Sequence, residues 1–143
     1  MRFGWVVLAA MAGACSDVKP SPRGLRVPLP EGWVANAAAP GVLKVGPKGR
    51  VVLTLERRTA GLPSVEALKA AVEAEGGVVA RASGGVDATT VRYIRTSAEG
   101  LLTVRTLENG VLLLCASTPE AGHDDLEPAD TLCAAVRLEP VPR

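Results

Sequence analysis

The sequence predicts an α+β domain: an antiparallel sheet flanked by helices, layered as an α/β/α sandwich. The first observation is the order of elements, which reads strands, helix, antiparallel meander, helix, so that each face of one sheet has a helix to cover it. The second is a change of period at Val65 to Glu75, where two-residue alternation gives way to a helical stripe. The third is Asn109-Gly110, a hairpin signal that leads into Val111 to Ala116. That run is continuously apolar, as expected of a central strand covered on both faces. With 143 residues the chain has room for one such domain, placed at 25–143.

The elements follow in order. Leu25 to Trp33 is extended, and Pro28 and Pro30 confine it to an edge or a turn. Ala35 to Gly41 lacks large side chains and reads as loop. Val42 to Val45 and Arg50 to Arg57 are strands joined by Gly46-Pro47-Lys48-Gly49; the second sets Val51, Leu53 and Leu55 on one face and Val52, Thr54 and Glu56 on the other. Ser64 caps the first helix, Gly76-Gly77 stops it, and Val65, Leu68, Ala71 and Val72 form its apolar stripe, with Glu66, Lys69 and Glu73 on the wet side. Val78 to Ala82 and Ala88 to Thr96 read as strands around Gly84-Gly85, and Leu101 to Leu107 follows a tight turn at Ala98-Glu99. Asn109-Gly110 forms a type I′ turn into Val111 to Ser117. The second helix starts near Asp124, where Asp124 and Glu127 have capping-box spacing, and Leu126, Ala129, Cys133 and Val136 share one face. Its end reads equally as a strand over Ala134 to Leu138.

These turns imply a register. A loop at Ala98-Glu99 sets Arg92 opposite Arg105, and a loop at Asn109-Gly110 sets Leu114 beside Arg105 with Cys115 on the reverse face. Like charges directly opposite on a sheet repel unless an anion lies between them. Two resolutions are open: Glu56 or a helix acid neutralises the pair, or the guanidiniums await a carboxylate or phosphate on a partner.

Composition excludes several function classes. Lys and Arg total 16 against 15 Asp and Glu, so no net field draws nucleic acid, and aromatics at 3% offer few stacking platforms. No glycine-rich phosphate motif follows a strand, and no cofactor is expected. One histidine gives little material for a His-based dyad; His123-Asp124-Asp125 reads as loop and helix cap, or as a site needing a nucleophile or metal ligands from elsewhere. Trp33 is a core anchor or a lid over the sheet edge, or else an aromatic floor beside the small residues Ala35 to Pro40.

At the N-terminus, Arg2 precedes twelve uncharged residues, Phe3 to Ala14. That is too short for a permanent span, which takes about 20 residues, and fits an export signal. Met11-Ala12-Gly13-Ala14-Cys15 resembles the lipobox of bacterial lipoproteins. The resemblance implies a signal peptide at 1–14, diacylglycerol on Cys15, and a Pro/Ser/Gly tether over 15–24. Removing 1–14 takes away Arg2 alone and leaves a neutral chain, so lipid and not charge would hold it to the membrane. Ser16 after the lipidated Cys points, by the family's sorting rule, to the periplasmic face of the outer membrane. Cys115 and Cys133 are then an even pair in an oxidising compartment, either bridged or two buried thiols.

Pro30-Glu31-Gly32-Trp33 opening the domain, the element order, and the apolar strand before the last helix resemble the PsbP-like fold. That family includes a photosystem II extrinsic protein, a Ran-binding import factor and small bacterial lipoproteins. The resemblance implies a non-enzymatic accessory or binding module, here for another envelope component. Two alternatives stand beside it. A small periplasmic hydrolase would use His123 or a Cys in a cleft where His123 meets a buried carboxylate or thiol. A passive structural lipoprotein would need no ligand.

Overall fold

The computed structural model describes residues 24–59 and 61–140. The signal peptide expected at 1–14, Cys15 and the tether up to residue 23 lie outside the described residues. The chain runs β1 (Leu25–Arg26), β2 (Trp33–Ala39), β3 (Val42–Pro47), β4 (Leu53–Arg58), α1 (Val65–Ala74), β5 (Val78–Gly84), β6 (Ala88–Arg95), β7 (Ala98–Thr106), a 3-10 turn (Glu108–Gly110), β8 (Leu112–Ser117), α2 (His123–Ala135) and β9 (Arg137–Leu138). Seven strands form one antiparallel sheet in the order β2-β3-β4-β8-β7-β6-β5, and β1 pairs with β9 in a separate ribbon.

Alternation along the strands divides the apolar side chains into two cores. On one face Leu53, Leu55, Leu101, Leu113 and Cys115 pack against Leu126, Ala129, Leu132 and Cys133 of α2. On the other, Val91, Tyr93, Leu102, Val104, Leu112 and Leu114 pack against Leu68 and Val72 of α1. Each fully buried aliphatic side chain contributes about 1.5–3 kcal/mol. The continuous apolar run of β8 is thereby explained: Leu112 and Leu114 serve one core, Leu113 and Cys115 the other. The expected sandwich is the observed one, with α1 lying over β5 and β6 and α2 over β7 and β8.

Both helices are capped by local chemistry. The Ser64 hydroxyl accepts the Ala67 N–H at 3.1 Å. At α2 the cap is Gly122 and not Asp124; the Asp125 carboxylate accepts the Gly122 N–H at 2.7 Å and takes the Arg50 guanidinium at 2.6 and 3.2 Å. The hydrogen bonds from Arg50 hold the Asp125 carboxyl below its ordinary range, with burial opposing.

Four local expectations are corrected. Ala35–Gly41 is not loop: Trp33–Ala39 is edge strand β2, whose exposed alanines give no alternation to read. Val52 joins Leu53 and Leu55 in the core in place of Val51, because regular strand begins only at Leu53. The β6–β7 turn falls on Thr96-Ser97, both at positive φ (51° and 64°), two residues before the expected one. Gly100 then stands directly opposite Tyr93, where a Cβ would lie 2.2 Å from Tyr93 Cζ; only glycine fits beneath that ring. Lastly, the β7–β8 loop is the three residues Glu108–Gly110, closed by Gly110 at φ +74°, and not a two-residue turn. That one-residue shift moves Cys115 onto the same face as Arg105, toward α2, where it is disulfide-bonded to Cys133.

Candidate functional site

The observed register separates the two arginines expected to oppose each other. Arg92 pairs with Leu101, while Arg105 pairs with Ala88 on one side and Leu113 on the other. They share a face but stand four residues apart along the ladder, about 13 Å. Neither expected acid neutralises Arg105. Glu56 instead takes Arg58, at 2.7 and 3.1 Å. The Arg105 guanidinium donates to the carbonyls of Cys133 (3.2 Å) and Val136 (2.8 Å), at the negative end of α2. Burial foremost, and then Arg137 nearby, pushes the Arg105 pKa down, partly offset by Glu108 and Asp87. Arg105 is therefore a cap for α2, and its charge is spent inside the fold.

Arg92 nevertheless has an arginine opposite it, on its other flank. The β5–β6 hairpin pairs Arg81 directly with Arg92, both on the α2 side of the sheet. Directly opposed side chains have Cβ atoms about 4.5–5.5 Å apart. Arg81 is exposed and Arg92 half-buried. Among the described residues no carboxylate lies within ion-pair distance of either guanidinium.

The surroundings of the pair come from β5, β6, β7 and the start of α2. Val78 and Ile94 oppose each other on the same face, 69% and 45% exposed. Ile94 faces Glu99 of β7, whose carboxylate is hydrogen-bonded to His123 Nδ1. Both partners are open to solvent, with side chains 79% (His123) and 41% (Glu99) exposed. The hydrogen bond and charge of Glu99, with a smaller push from Asp124, raise the His123 pKa above 6.5, while Arg92 works against them. The face thus carries two guanidiniums, an imidazole held toward its charged form, one carboxylate already engaged, and an apolar margin. Adjacent guanidinium forks can grip a carboxylate or phosphate in two places, and this is the chemistry such an arrangement offers.

The other sequence candidates fall elsewhere. Trp33 opens β2 opposite Pro47 and packs, partly buried, on the α2-side core, so it acts as an anchor at the sheet edge. Cys115 and Cys133 are joined with their Cα atoms 6.3 Å apart. A cleft of about 260 Å³ opens at the end of β6 and β7, lined by Tyr93, Arg95, Glu99, Gly100, Ser117 and Thr118. Burial raises the Tyr93 pKa, and a hydrogen bond with Ser117 partly offsets this. Among the described residues no three His, Cys, Asp or Glu side chains are grouped to hold a metal ion.

Sequence reasoning missed Arg81. A turn at Gly84-Gly85 pairs it with Ala88; the actual turn is Val86-Asp87, two residues later, closed by the Gly85 N–H on the Ala88 carbonyl at 2.8 Å, and this brings it to Arg92. The detectable signal was Asp87, a turn-forming residue two places after Gly85, which marks a turn displaced from the two glycines.

No known protein family and no curated protein matches this chain. Among the described residues no helix is long and apolar enough to cross a membrane. Among solved structures, the chain is similar to cyanobacterial PsbP from Synechocystis sp. PCC 6803, with a TM-score of 0.48 and 15% sequence identity, covering 87% of this chain and 97% of that one.

Proposed function

We propose that this protein is a lipid-anchored accessory module on the periplasmic face of the outer membrane, without catalytic activity, that captures an acidic segment of another envelope protein. The observation that carries the reading is Arg81 directly opposite Arg92 on β5 and β6, to the side of the β7 and β8 strands that α2 lies over, with no acid among the described residues paired to either. Two like charges side by side are a cost the fold bears unless something anionic arrives. Exposed Val78 and Ile94 add apolar contact beside the charges, which favours a protein segment over a free ion. The anchor is Cys15 in its lipobox, and the near-balance of charge makes lipid the means of attachment.

The hydrolase reading has less support. Its cysteine route is closed because Cys115 and Cys133 are bonded to each other, and His123 meets an exposed carboxylate where a dyad needs a sheltered one.

The test measures binding of a glutamate-rich peptide to the full chain in detergent, by calorimetry. Arg81→Ala and Arg92→Ala are each expected to weaken binding about tenfold, and the double variant to abolish it, with the thermal midpoint nearly unchanged. Loss of fold in the variants would make the arginines structural and overturn the reading, as would peptide binding that survives the double substitution. Capture of anionic phosphatidylglycerol vesicles without peptide binding would assign the pair to lipid phosphate instead. Cys15→Ser is expected to leave the chain unprocessed, at the full-length size and absent from the outer membrane; an outer-membrane chain of the mature size would overturn the anchor.

A further inference from the structure

Strand β2 ends the sheet, and among the described residues no strand pairs with its outer edge. Every residue of Trp33–Ala39 except Trp33 is exposed, and none is charged. Natural edges are usually guarded against pairing by lysines, inward charges, prolines or bulges. β2 has none of these over residues 33–37; its irregularity lies between Ala37 and Ala39, and Pro40 comes after the strand. The opposite edge, β5, is guarded by a bulge between Val79 and Arg81 and by the arginine itself.

The side chains of β2 say what fits its edge. We infer that β2 pairs antiparallel with β2 of a second copy of this chain, about a two-fold axis at Ala35, so that two seven-stranded sheets become one. In that register Ala35 faces Ala35, Val34 faces Asn36, and Trp33 faces Ala37 of the second copy. The bulkiest side chain of the strand meets one of the smallest, and no like charges meet anywhere along the ladder. An axis at Asn36 draws the irregular Ala37–Ala39 stretch into the pairing, and an axis at Val34 sets Trp33 against Ala35 and shortens it. The chain's own tether is a poor occupant, because Pro20 and Pro22 lack the N–H donors a ladder requires. A strand without charge also offers no electrostatic hold to an acidic or basic foreign peptide.

The experiment uses the full chain extracted in detergent, carrying Ala35→Cys or Ala39→Cys, with the parent chain treated in parallel to report any linkage through Cys15. Directly opposed Cα atoms in an antiparallel pair lie about 4.5–5.5 Å apart, a span a disulfide bridges. Because Cys115 and Cys133 are already joined, the introduced thiol is the reactive one. Under mild oxidation the Ala35→Cys chain is expected to form a linked dimer at least about tenfold faster than the Ala39→Cys chain. Ala35→Lys, which sets like charges on the axis, is expected to weaken dimerisation about tenfold or more while the monomer stays folded. Sedimentation as a monomer at every concentration, equal cross-linking at both positions, or a dimer indifferent to Ala35→Lys would each overturn the inference.

Discussion

Reducing the Cys115–Cys133 bond removes a constraint whose size follows from its position. The cysteines are 18 residues apart in sequence, tying the central strand to the helix that covers it. In the loop-entropy treatment, a closure of that length limits the unfolded chain by about 3 kcal/mol. Unfolding entropy is about 2.1 cal/mol/K per residue, or roughly 0.25 kcal/mol/K for a body of this size, so reduction is expected to lower the thermal midpoint by about 12 °C. The assay is circular dichroism at helical wavelengths with and without a phosphine reductant, the thiol state being read by mass after alkylation. The Cys115→Ala/Cys133→Ala chain serves as the control: its midpoint should be low already and indifferent to reductant. It should lose somewhat more than the reduced parent, because both sulfurs occupy fully buried positions and their removal leaves a void. A fall below about 4 °C with both thiols shown to be free would refute the reasoning, since the unfolded chain would then be confined almost as much without the bond as with it.

Gly100→Ala is expected to cost about 1–3 kcal/mol in urea unfolding, because its Cβ would lie 2.2 Å from the Tyr93 ring. In a Tyr93→Ala background the same substitution should cost far less; equal costs in both would show that the ring is not the obstacle. His123 should titrate above 6.5 by NMR and return toward that value in Glu99→Gln. Since its folded pKa is the raised one, the stabilisation from this contact is complete below 6.5 and lost as pH rises through the folded value; a His123 titration unmoved by Glu99→Gln would reject the pairing.

What the sequence conveyed well were the faces, and what it conveyed badly were the turns. Leu68 with Val72, and Leu126 with Ala129 and Cys133, are helical stripes that any periodicity reading finds, and both are buried as read. Thr96-Ser97 gave no warning, because two β-branched or hydroxyl residues at positive φ are an unusual choice for a turn. The informative residue was Gly100, whose missing side chain makes room for Tyr93, yet that need is visible only once the strands are paired. Asn109-Gly110 marked the right place and the wrong length, and one residue of slip was enough to turn Cys115 to the other face. The site inherits this weakness. The expected Arg92–Arg105 pair does not form, the arginine opposite Arg92 comes from the other hairpin and was not read, and Glu99 with His123, 24 residues apart, could not be joined while the turn before Glu99 was misplaced.

The place of β8 in the sheet has a consequence for when this protein can fold. Strands β2, β3 and β4 form one contiguous meander and β5, β6 and β7 another, and within the sheet the two are joined only by pairing with β8. The strand that joins them comes last of the seven, and its pairing of Leu55 with Cys115 spans sixty residues of chain. Until Ser117 is available, a growing or translocating chain is two three-stranded fragments with β4 and β7 as open inner edges, each lined with leucine on both sides of the gap. Long-range closure of this kind is slow, and such edges are sticky while they wait. The chain is thus kept from completing its fold by the order of its own strands, as the export proposed above would require, and a chain ending ahead of Leu112 lacks the strand that joins its two half-sheets.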